Sequence, residues 1–212
     1  MRKLHDRFFR QAKREGKLAR SIYKLEELDR RERLIRPGDR VLDLGASPGS
    51  WLEYILGAVG SDGGVCAVDV KPVHKRLRGR AHFLLRDVRE LRGDEFVLQA
   101  PDGFDVLVSD MAPNTSGIRL VDQSRSLELC RHALALAEKL LRRGGNFACK
   151  IFCGPETEDF RRETAGFFQT VRLRKPEACR AESFEAYVVG LGFSARAGDN
   201  RNDAGGPDSC AS

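Results

Sequence analysis

The sequence predicts an α/β fold built on a mostly parallel seven-stranded sheet with one antiparallel strand. Short apolar runs alternate along the chain with segments of helical periodicity, which is the pattern of strands joined by helices. The first apolar run leads into a glycine-containing loop and then a helix, as in nucleotide-binding α/β folds. The last two predicted strands, residues 169–173 and 185–191, are too close for a helical crossover, so one must run antiparallel.

The composition indicates a soluble globular protein with an acidic partner. The chain has 212 residues, of which 41% are hydrophobic and 32% charged, and its net charge is +6. A basic balance favours binding to a polyanion such as nucleic acid. No apolar run approaches the roughly 20 residues that span a bilayer, so no membrane association is expected. The six cysteines have no signal peptide or histidine cluster with them, which predicts reduced thiols in the cytoplasm.

The chain begins with a strongly basic helical segment. Residues 2–24 carry nine lysines and arginines against two acids, and a second helix is predicted from about residue 21 to 31. A solvated cap or a mitochondrial transit peptide would also be basic, but this segment runs directly into the helix before the sheet. We therefore expect a basic cap, residues 1–33, that meets phosphates. It belongs to a single domain, residues 1–193, and a disordered tail is predicted for residues 194–212.

The first strand and its loop resemble a cofactor-binding element. Residues 41–44 form a buried strand, and the loop behind it contains Gly45 and Gly49, which let the backbone approach a ligand. The apolar spacing turns helical at Trp51, and a helix start offers unpaired N–H groups. Gly57 and Gly60 are expected to end this helix. The loop lacks the Gly-Lys-Ser/Thr ending of a phosphate-binding P-loop, so ATP hydrolysis is not indicated.

Acidic residues follow the next three strands. An acid at the end of the second strand is where such folds hydrogen-bond a ribose, although a turn-forming acid is an equally good interpretation. A long amphipathic helix, residues 122–142, and a glycine pair separate the fourth strand from a fifth that carries a lysine. A short helix, residues 158–168, then leads to the last two strands. The polar residues concerned are Asp69, Asp87, Asp110 and Lys150.

Four polar residues are expected to meet at one edge of the sheet. Asp110 and Lys150 end parallel strands, Glu185 begins the predicted antiparallel strand, and Lys24 precedes the sheet. Two lysines and two carboxylates suit proton removal from a weakly acidic hydroxyl. A lysine acts as a base once burial or a neighbouring cation lowers its pKa. Lys150, in an apolar strand, meets that condition. The alternative is a pair of surface salt bridges at strand ends.

With these residues in place, the chain closely resembles the FtsJ (RlmE) family of ribosomal RNA large-subunit methyltransferases. The resemblance extends from about residue 5 to 190 and rests on these three motifs: Asp43-Leu-Gly-Ala-Ser-Pro-Gly-Ser-Trp51, Ser109-Asp-Met-Ala-Pro-Asn-Thr-Ser-Gly117, and Arg174-Lys-Pro176 through Arg180-Ala181 to Glu185-Ala-Tyr187. It implies a Rossmann-like class I fold that depends on S-adenosylmethionine. The family's Lys-Asp-Lys-Glu tetrad matches Lys24, Asp110, Lys150 and Glu185. The resemblance further implies cofactor contacts at Gly49, Trp51, Asp69, Asp87 and Asp110.

The resemblance also implies a substrate and a mechanism. Neutral Lys150 would accept the proton of a ribose 2′-hydroxyl, with Lys24 and Glu185 positioning the ribose, and no metal would be needed. The target would be a uridine in the peptidyl-transferase region of 23S ribosomal RNA, in the assembled large subunit. A cytoplasmic monomer is expected. Transfer RNA or a messenger cap is an alternative substrate, and an RNA-binding ribosome assembly factor is the non-enzymatic alternative.

Overall fold

A twisted sheet organises the molecule. The structure is a computed structural model that describes residues 2–180 and 183–194. Within these residues the strands are Arg40–Leu44 (β1), Gly64–Asp69 (β2), His82–Leu85 (β3), Phe104–Ser109 (β4), Leu141–Phe152 (β5), Phe168–Arg174 (β6) and Glu185–Phe193 (β7). Their order in the sheet is β3-β2-β1-β4-β5-β7-β6. β7 runs antiparallel to β5 and β6, whereas the other pairs are parallel. The predicted mostly parallel sheet with one antiparallel strand is confirmed.

Helices cover both faces of the sheet. In the described part of the chain they are Arg2–Arg14 (α1), Ile22–Glu32 (α2), Ser50–Val59 (α3), Arg119–Leu140 (α4) and Thr157–Ala165 (α5). α4 buries its apolar stripe, including Leu127 and Leu134, against one face. α2 and α3 bury Leu25, Leu28 and Ile55 on the other. Each fully buried leucine contributes about 1.5–3 kcal/mol, so the two cores hold the helices to the sheet.

Three predicted helix ends differ from the structure. The short helix expected over residues 158–168 ends at Ala165, and Phe168 already belongs to β6. The long helix was expected to continue to residue 142 and stop at the glycine pair, but α4 ends at Leu140 and β5 begins at the next residue. Leu141 pairs with Phe104 of β4, so strand pairing ends the helix. Gly57 lies inside α3 instead of breaking it. Gly60, whose φ is +69°, ends that helix.

The strand directions concentrate polar residues at one edge. The parallel strands β1, β2, β4 and β5 all finish at this edge, which we call the carboxyl edge. Because β7 is antiparallel to β5, its first residue lies there too, and Glu185 is paired with Phe152. Strand ends from distant parts of the chain therefore lie side by side, at the place where open α/β sheets bind ligands.

The chain's two ends are described only in part. Ser194 donates its backbone N–H to the carbonyl of Phe167 at 2.8 Å. The rest of the predicted tail, residues 195–212, lies outside the described residues.

Among the helices that the structure describes, none is both long enough and apolar enough to cross a bilayer.

Candidate active site

The loop after β1 packs directly on the segment after β4. Gly45 has a φ of +82°, and a Cβ atom there would lie 2.8 Å from Cγ of Met111 and 2.9 Å from its backbone N. A side chain at this position would therefore collide with backbone that has no room to move. Glycine lets the two loops of the carboxyl edge touch, which fixes one end of a cleft between them.

The cleft follows the carboxyl edge from β1 to β4. It has a volume of about 560 Å³, which is in the range of small-molecule sites. Its walls come from the ends of β1, β2 and β4 and from the segment after β3. The polar residues lining it include Ser47, Asp69, Asp87, Asp110 and Asn114. Four carboxylates line the cleft when Glu128 of α4 is included, together with four lysines and arginines, so a ligand that carries hydroxyl groups and both signs of charge suits it.

Asp69 is held at the middle of the cleft by two backbone groups. Its Oδ2 accepts a hydrogen bond from the N–H of Ser47 at 2.8 Å, and its Oδ1 accepts one from the N–H of Lys71 at 2.8 Å. A carboxylate has about four acceptor positions, so two hydrogen bonds leave capacity for a ligand. The carboxylate is thus oriented by the protein and still able to accept hydrogen bonds from ribose hydroxyls.

Asp87 lies at the far wall of the cleft, beyond β3. It accepts hydrogen bonds from the backbone N–H of Arg89 at 3.0 Å and from its guanidinium Nε at 2.9 Å. These bonds from Arg89 lower the pKa of Asp87 to about 2, so the carboxylate is ionised at neutral pH. Val88, beside it, adds apolar surface to the same wall. This combination fits an adenine, which presents both a flat apolar face and polar edges.

Gly49 and Trp51 are not among the residues that line the cleft. Gly49 faces away from it, because a Cβ atom there would meet the side chain of Leu77. The Trp51 indole is 2% exposed, donates its Nε1–H to the carbonyl of Ser21 at 3.0 Å and packs on Tyr187. Its side chain joins the cap to the sheet. A cofactor contact by either residue remains a prediction that concerns their backbone atoms only.

Lys150 and Asp110 form the first pair of the tetrad. The Lys150 Nζ lies 3.2 Å from Oδ1 of Asp110 and donates a hydrogen bond to the Asp110 carbonyl at 2.5 Å. The lysine side chain is only 7% exposed. One hydrogen bond and one ion pair to the same residue hold Nζ where β4 and β5 end.

Lys24 and Glu185 form the second pair, with 2.5 Å between Nζ and Oε1. Burial would raise the pKa of Glu185, but the charge and hydrogen bond of Lys24, with smaller effects of Cys179 and Lys150, together outweigh it, and the pKa is lowered. Burial would lower the pKa of Lys24, but Asp110 and Glu185 outweigh it, and the pKa is raised. Each pair thus acts on the other, so the structure brings all four predicted residues together.

The alternative of surface salt bridges does not fit this arrangement. The two lysine side chains are 9% and 7% exposed, and the two carboxylates 15% and 17%. Exposed pairs contribute little because water and salt screen them, whereas these charges are largely removed from water. Burying two charged lysines does not by itself stabilise a fold, because each charge must be removed from water. Such an arrangement is typical of a functional site.

Two further residues near the tetrad belong to the motifs, but the sequence assigned them no role in the site. The Tyr187 hydroxyl donates to Oδ1 of Asp110 at 2.7 Å and thereby fixes the carboxylate that holds Lys150. Tyr187 stands two residues after Glu185 on the same face of β7, and that spacing was the available signal.

Asp43, in β1, is fully buried, and neither of its carboxyl oxygens has a hydrogen-bond partner. Burial, followed by the charges of Asp110 and Asp69, raises the pKa of Asp43 well above its ordinary value.

A family model provides independent support for this description. The model of the FtsJ-like methyltransferases matches residues 18–193, which include the cleft and all four residues of the tetrad. The match begins within the basic cap and ends at the last residue of β7. The fold and the site therefore lie within one family model.

Full-length relatives agree with the family model. The chain is 44% identical over 185 residues to ribosomal RNA large subunit methyltransferase E of Desulfatibacillum aliphaticivorans, covering 87% of this chain and 89% of the relative. It is 43% identical over 189 residues to the protein of the same name from Bdellovibrio bacteriovorus, covering 88% and 95%. These identities extend over nearly the whole of each relative.

Solved structures agree as well. A ribosomal RNA methyltransferase from Plasmodium falciparum superposes with a TM-score of 0.75 at 25% identity, covering 84% of this chain and 99% of that one. An rRNA methylase from Clostridium thermocellum, with a TM-score of 0.56 at 17% identity, shares the fold. The family model, the relatives and the cleft with its tetrad lead to one conclusion: this chain belongs to the FtsJ-like methyltransferase family.

Proposed function

We propose that this protein transfers a methyl group from S-adenosylmethionine to the ribose 2′-oxygen of a uridine in 23S ribosomal RNA. The observation that carries the proposal is the buried tetrad beside the cleft, with Lys150 held by Asp110 and Lys24 held by Glu185. The substrate comes from the names of the relatives, which are ribosomal RNA large subunit methyltransferases. The assembled subunit, rather than free RNA, is part of the proposal.

The chemistry of the cleft fits S-adenosylmethionine. When bound, the cofactor supplies a methyl group on a positively charged sulfur that is already a good leaving group. Asp69, with acceptor capacity left on its oriented carboxylate, would hold the ribose hydroxyls, and Asp87 and Val88 would face the adenine. Asp110 would lie near the sulfonium charge. The backbone of Gly49 and Trp51, at the start of α3, would contribute N–H groups.

Lys150 is the proposed proton acceptor. The backbone carbonyl and the carboxylate of Asp110 hold its Nζ at the end of the cleft. The lone pair of the unprotonated nitrogen would accept the proton of the 2′-hydroxyl, which would make that oxygen a nucleophile for methyl transfer. Lys24 and Glu185, joined in the second buried ion pair, would position the ribose. Alignment of the reacting atoms accounts for most of the rate.

The basic balance of the chain supports an RNA substrate. The net charge is +6, and α1 is rich in lysine and arginine. The relatives are named as ribosomal RNA methyltransferases. Phosphate contacts of this kind supply affinity without reading sequence. A protein that modifies large ribosomal subunits would work in the cytoplasm, and we propose that it does so as a monomer.

Replacing Lys150 tests the proposal. Lys150→Ala should bind S-adenosylmethionine with unchanged affinity, while kcat falls by about 10² to 10⁴-fold because general-base catalysis is lost. Methyl transfer from tritiated S-adenosylmethionine to large subunits measures the rate, and calorimetry measures the cofactor affinity. Lys139→Ala, an exposed lysine of α4, is the matched control and should behave like the wild type. Full activity of Lys150→Ala would contradict the proposed base.

The same assay separates the substrates. Large subunits, free 23S RNA, transfer RNA and capped messenger RNA are offered in parallel, and the modified nucleotide is identified by mass spectrometry. We expect 2′-O-methyluridine from large subunits. Methylation of a base atom would reject the 2′-oxygen as the acceptor, and faster transfer to transfer RNA or a cap would reject the ribosomal substrate. No transfer to any RNA by the wild type would favour an assembly factor without catalytic activity.

A further inference from the structure

An aromatic and cationic cluster stands next to the tetrad and has no part in the chemistry described above. Phe184 directly precedes Glu185, and its carbonyl accepts a hydrogen bond from Cys153 at 2.7 Å. The Phe152 ring, two residues beyond Lys150 in β5, meets the Phe184 ring edge to face, with 4.8 Å between centroids. The guanidinium of Arg119, at the start of α4, lies 5.4 Å from the centroid of Phe184.

Two exposed aliphatic residues adjoin Arg119 in the chain. Ile118 and Leu120 flank Arg119 in the chain and are 62% and 68% exposed, which is unusual for large apolar residues. They stand on a fixed turn, because the buried carboxylate of Asp122 accepts hydrogen bonds from the backbone N–H groups of Ser116 and Gly117. An exposed apolar surface on a rigid turn is ready to bind without rearrangement.

The composition and position of this surface suit a nucleobase. Unpaired bases in RNA are recognised by stacking on aromatic rings and guanidinium planes, and aliphatic side chains add contact to the base face. The tetrad, where the ribose of the substrate would lie, is one residue away from Phe184 along β7. The base is attached directly to that ribose, so it must rest on a surface within a few ångströms of the tetrad.

We propose that Arg119 and Phe184, together with Ile118 and Leu120, form the platform that holds the base of the methylated nucleotide. We call these four residues the base platform. The proposal rests on the proposed function, since it assumes a ribose at the tetrad. It adds the means by which an unstacked nucleotide is kept out of its helix while Lys150 acts. None of these four residues lines the cofactor cleft, so the contribution of the platform concerns RNA and not cofactor.

The experiment uses two exposed changes, Ile118→Ser and Leu120→Ser, in one variant, and Arg119→Ala in another. Stacking on one base contributes enough that KM for large subunits should rise about 10-fold or more in each variant. Affinity for S-adenosylmethionine should stay within error. Leu98→Ser, at a leucine that is 91% exposed and lies beyond β3, is the matched control and should match the wild type. Unchanged KM and kcat in both platform variants would overturn the proposal.

Phe184 needs a different design because it packs on Phe152. Phe184→Leu should raise KM for RNA, and Phe184→Trp should restore it, whereas a purely packing role would make both variants lose thermal stability without this split. Binding of a fluorescent uridine-containing oligoribonucleotide is measured alongside. If the wild type transfers no methyl group, the proposed function fails. In that case, weaker oligonucleotide binding by the platform variants than by Leu98→Ser would support the base platform, and equal binding would contradict it.

Discussion

Single residues at the carboxyl edge are arranged so that each charge has a specific neighbour. Lys150 is bound to Asp110, Asp110 to Tyr187, and Lys24 to Glu185. Removing one partner from such a buried set leaves the other charge or dipole without compensation, which costs more than the contact itself contributes. The site is therefore a unit, and the effects of changing its members should not be additive.

Asp43 is the exception, since its buried carboxyl group has no partner. The raised pKa means that the folded protein holds a proton that the unfolded chain releases above about pH 4. The folded state binds more protons, so this group makes the free energy of unfolding fall as pH rises, by about 1.4 kcal/mol per pH unit at most. The decline begins near the unfolded pKa and ends at the folded one.

Asp43→Asn should remove that pH dependence, because an amide does not titrate. Urea unfolding at several pH values between 4 and 7 would show a steeper decline with pH in the wild type than in the variant. Asp62→Asn, at an exposed loop position, should reproduce the wild-type profile. Parallel profiles for the wild type and Asp43→Asn would mean that the carboxyl group is already ionised in the folded protein.

The sequence predicts the positions of some residues of the site better than those of others. The sequence places Asp110, Lys150 and Glu185 at strand ends, and parallel strands share an edge, so their proximity follows from topology. The role of Tyr187 depends on Asp110, which comes from another strand 77 residues away. The position of Trp51 was also beyond the pattern, because a tryptophan at a helix start can turn toward the cleft or toward the cap. Only the packing of α2 decides between them.

Among the elements, α2 has the largest influence on the site because it carries Lys24. Glu32 at its last turn accepts hydrogen bonds from Arg172 and Arg174 of β6, both at 2.5 Å. Burial would raise the pKa of Glu32, but the two arginines outweigh it and the pKa is lowered. The pairs therefore stabilise the protein above about pH 4 and lose this effect as the carboxylate is protonated at lower pH.

Glu32→Gln should loosen α2. The free energy of unfolding at pH 7 should fall by about 1–2 kcal/mol, a value at the low end for charge-assisted bonds because the arginines are partly exposed. Because Lys24 moves with the helix, methyl transfer should also slow. Denaturant unfolding and the transfer assay measure the two effects. Glu26→Gln, on the exposed side of the same helix, is the control. Equal stability of Glu32→Gln and Glu26→Gln would show that these pairs do not fasten α2.

The elements themselves were predicted well, and their boundaries less so. Apolar runs and helical periodicity are local signals, and they identified all seven strands of the described sheet. The passage from α4 to β5 was not predicted, because leucine favours a helix and Leu141 becomes a strand residue only through its pairing with Phe104. That partner is 37 positions earlier, beyond the range of any local pattern.

At the scale of the whole molecule, charge is the dominant feature. The net charge of +6 makes RNA binding dependent on salt, because each neutralised phosphate releases counterions. S-adenosylmethionine is small, and the contacts proposed for it in the cleft are specific hydrogen bonds, so its affinity should respond much less. The two ligands are thus separable by ionic strength.

Removing two exposed cations from the end of α1 tests this separation. In a variant that combines Lys13→Ala with Arg14→Ala, the slope of log K for RNA against log salt should become shallower by about 1 to 2. Cofactor affinity should not change. Arg143→Ala, at the opposite edge of the sheet, is the control and should keep the wild-type slope. An unchanged slope in the double variant would place the RNA elsewhere on the surface.

The position of β7 between β5 and β6 has a consequence for the order in which the site can form during synthesis. Ribosomes build proteins from the amino terminus, so the residues lining the cleft, 45 to 132, exist before Lys150 and well before Glu185. The strand that completes the tetrad is the last to be synthesised and must enter a gap between two strands already made. The residues of the cleft are therefore synthesised before the tetrad is complete, and on the proposed function a nascent chain could not transfer a methyl group until β7 has joined the sheet.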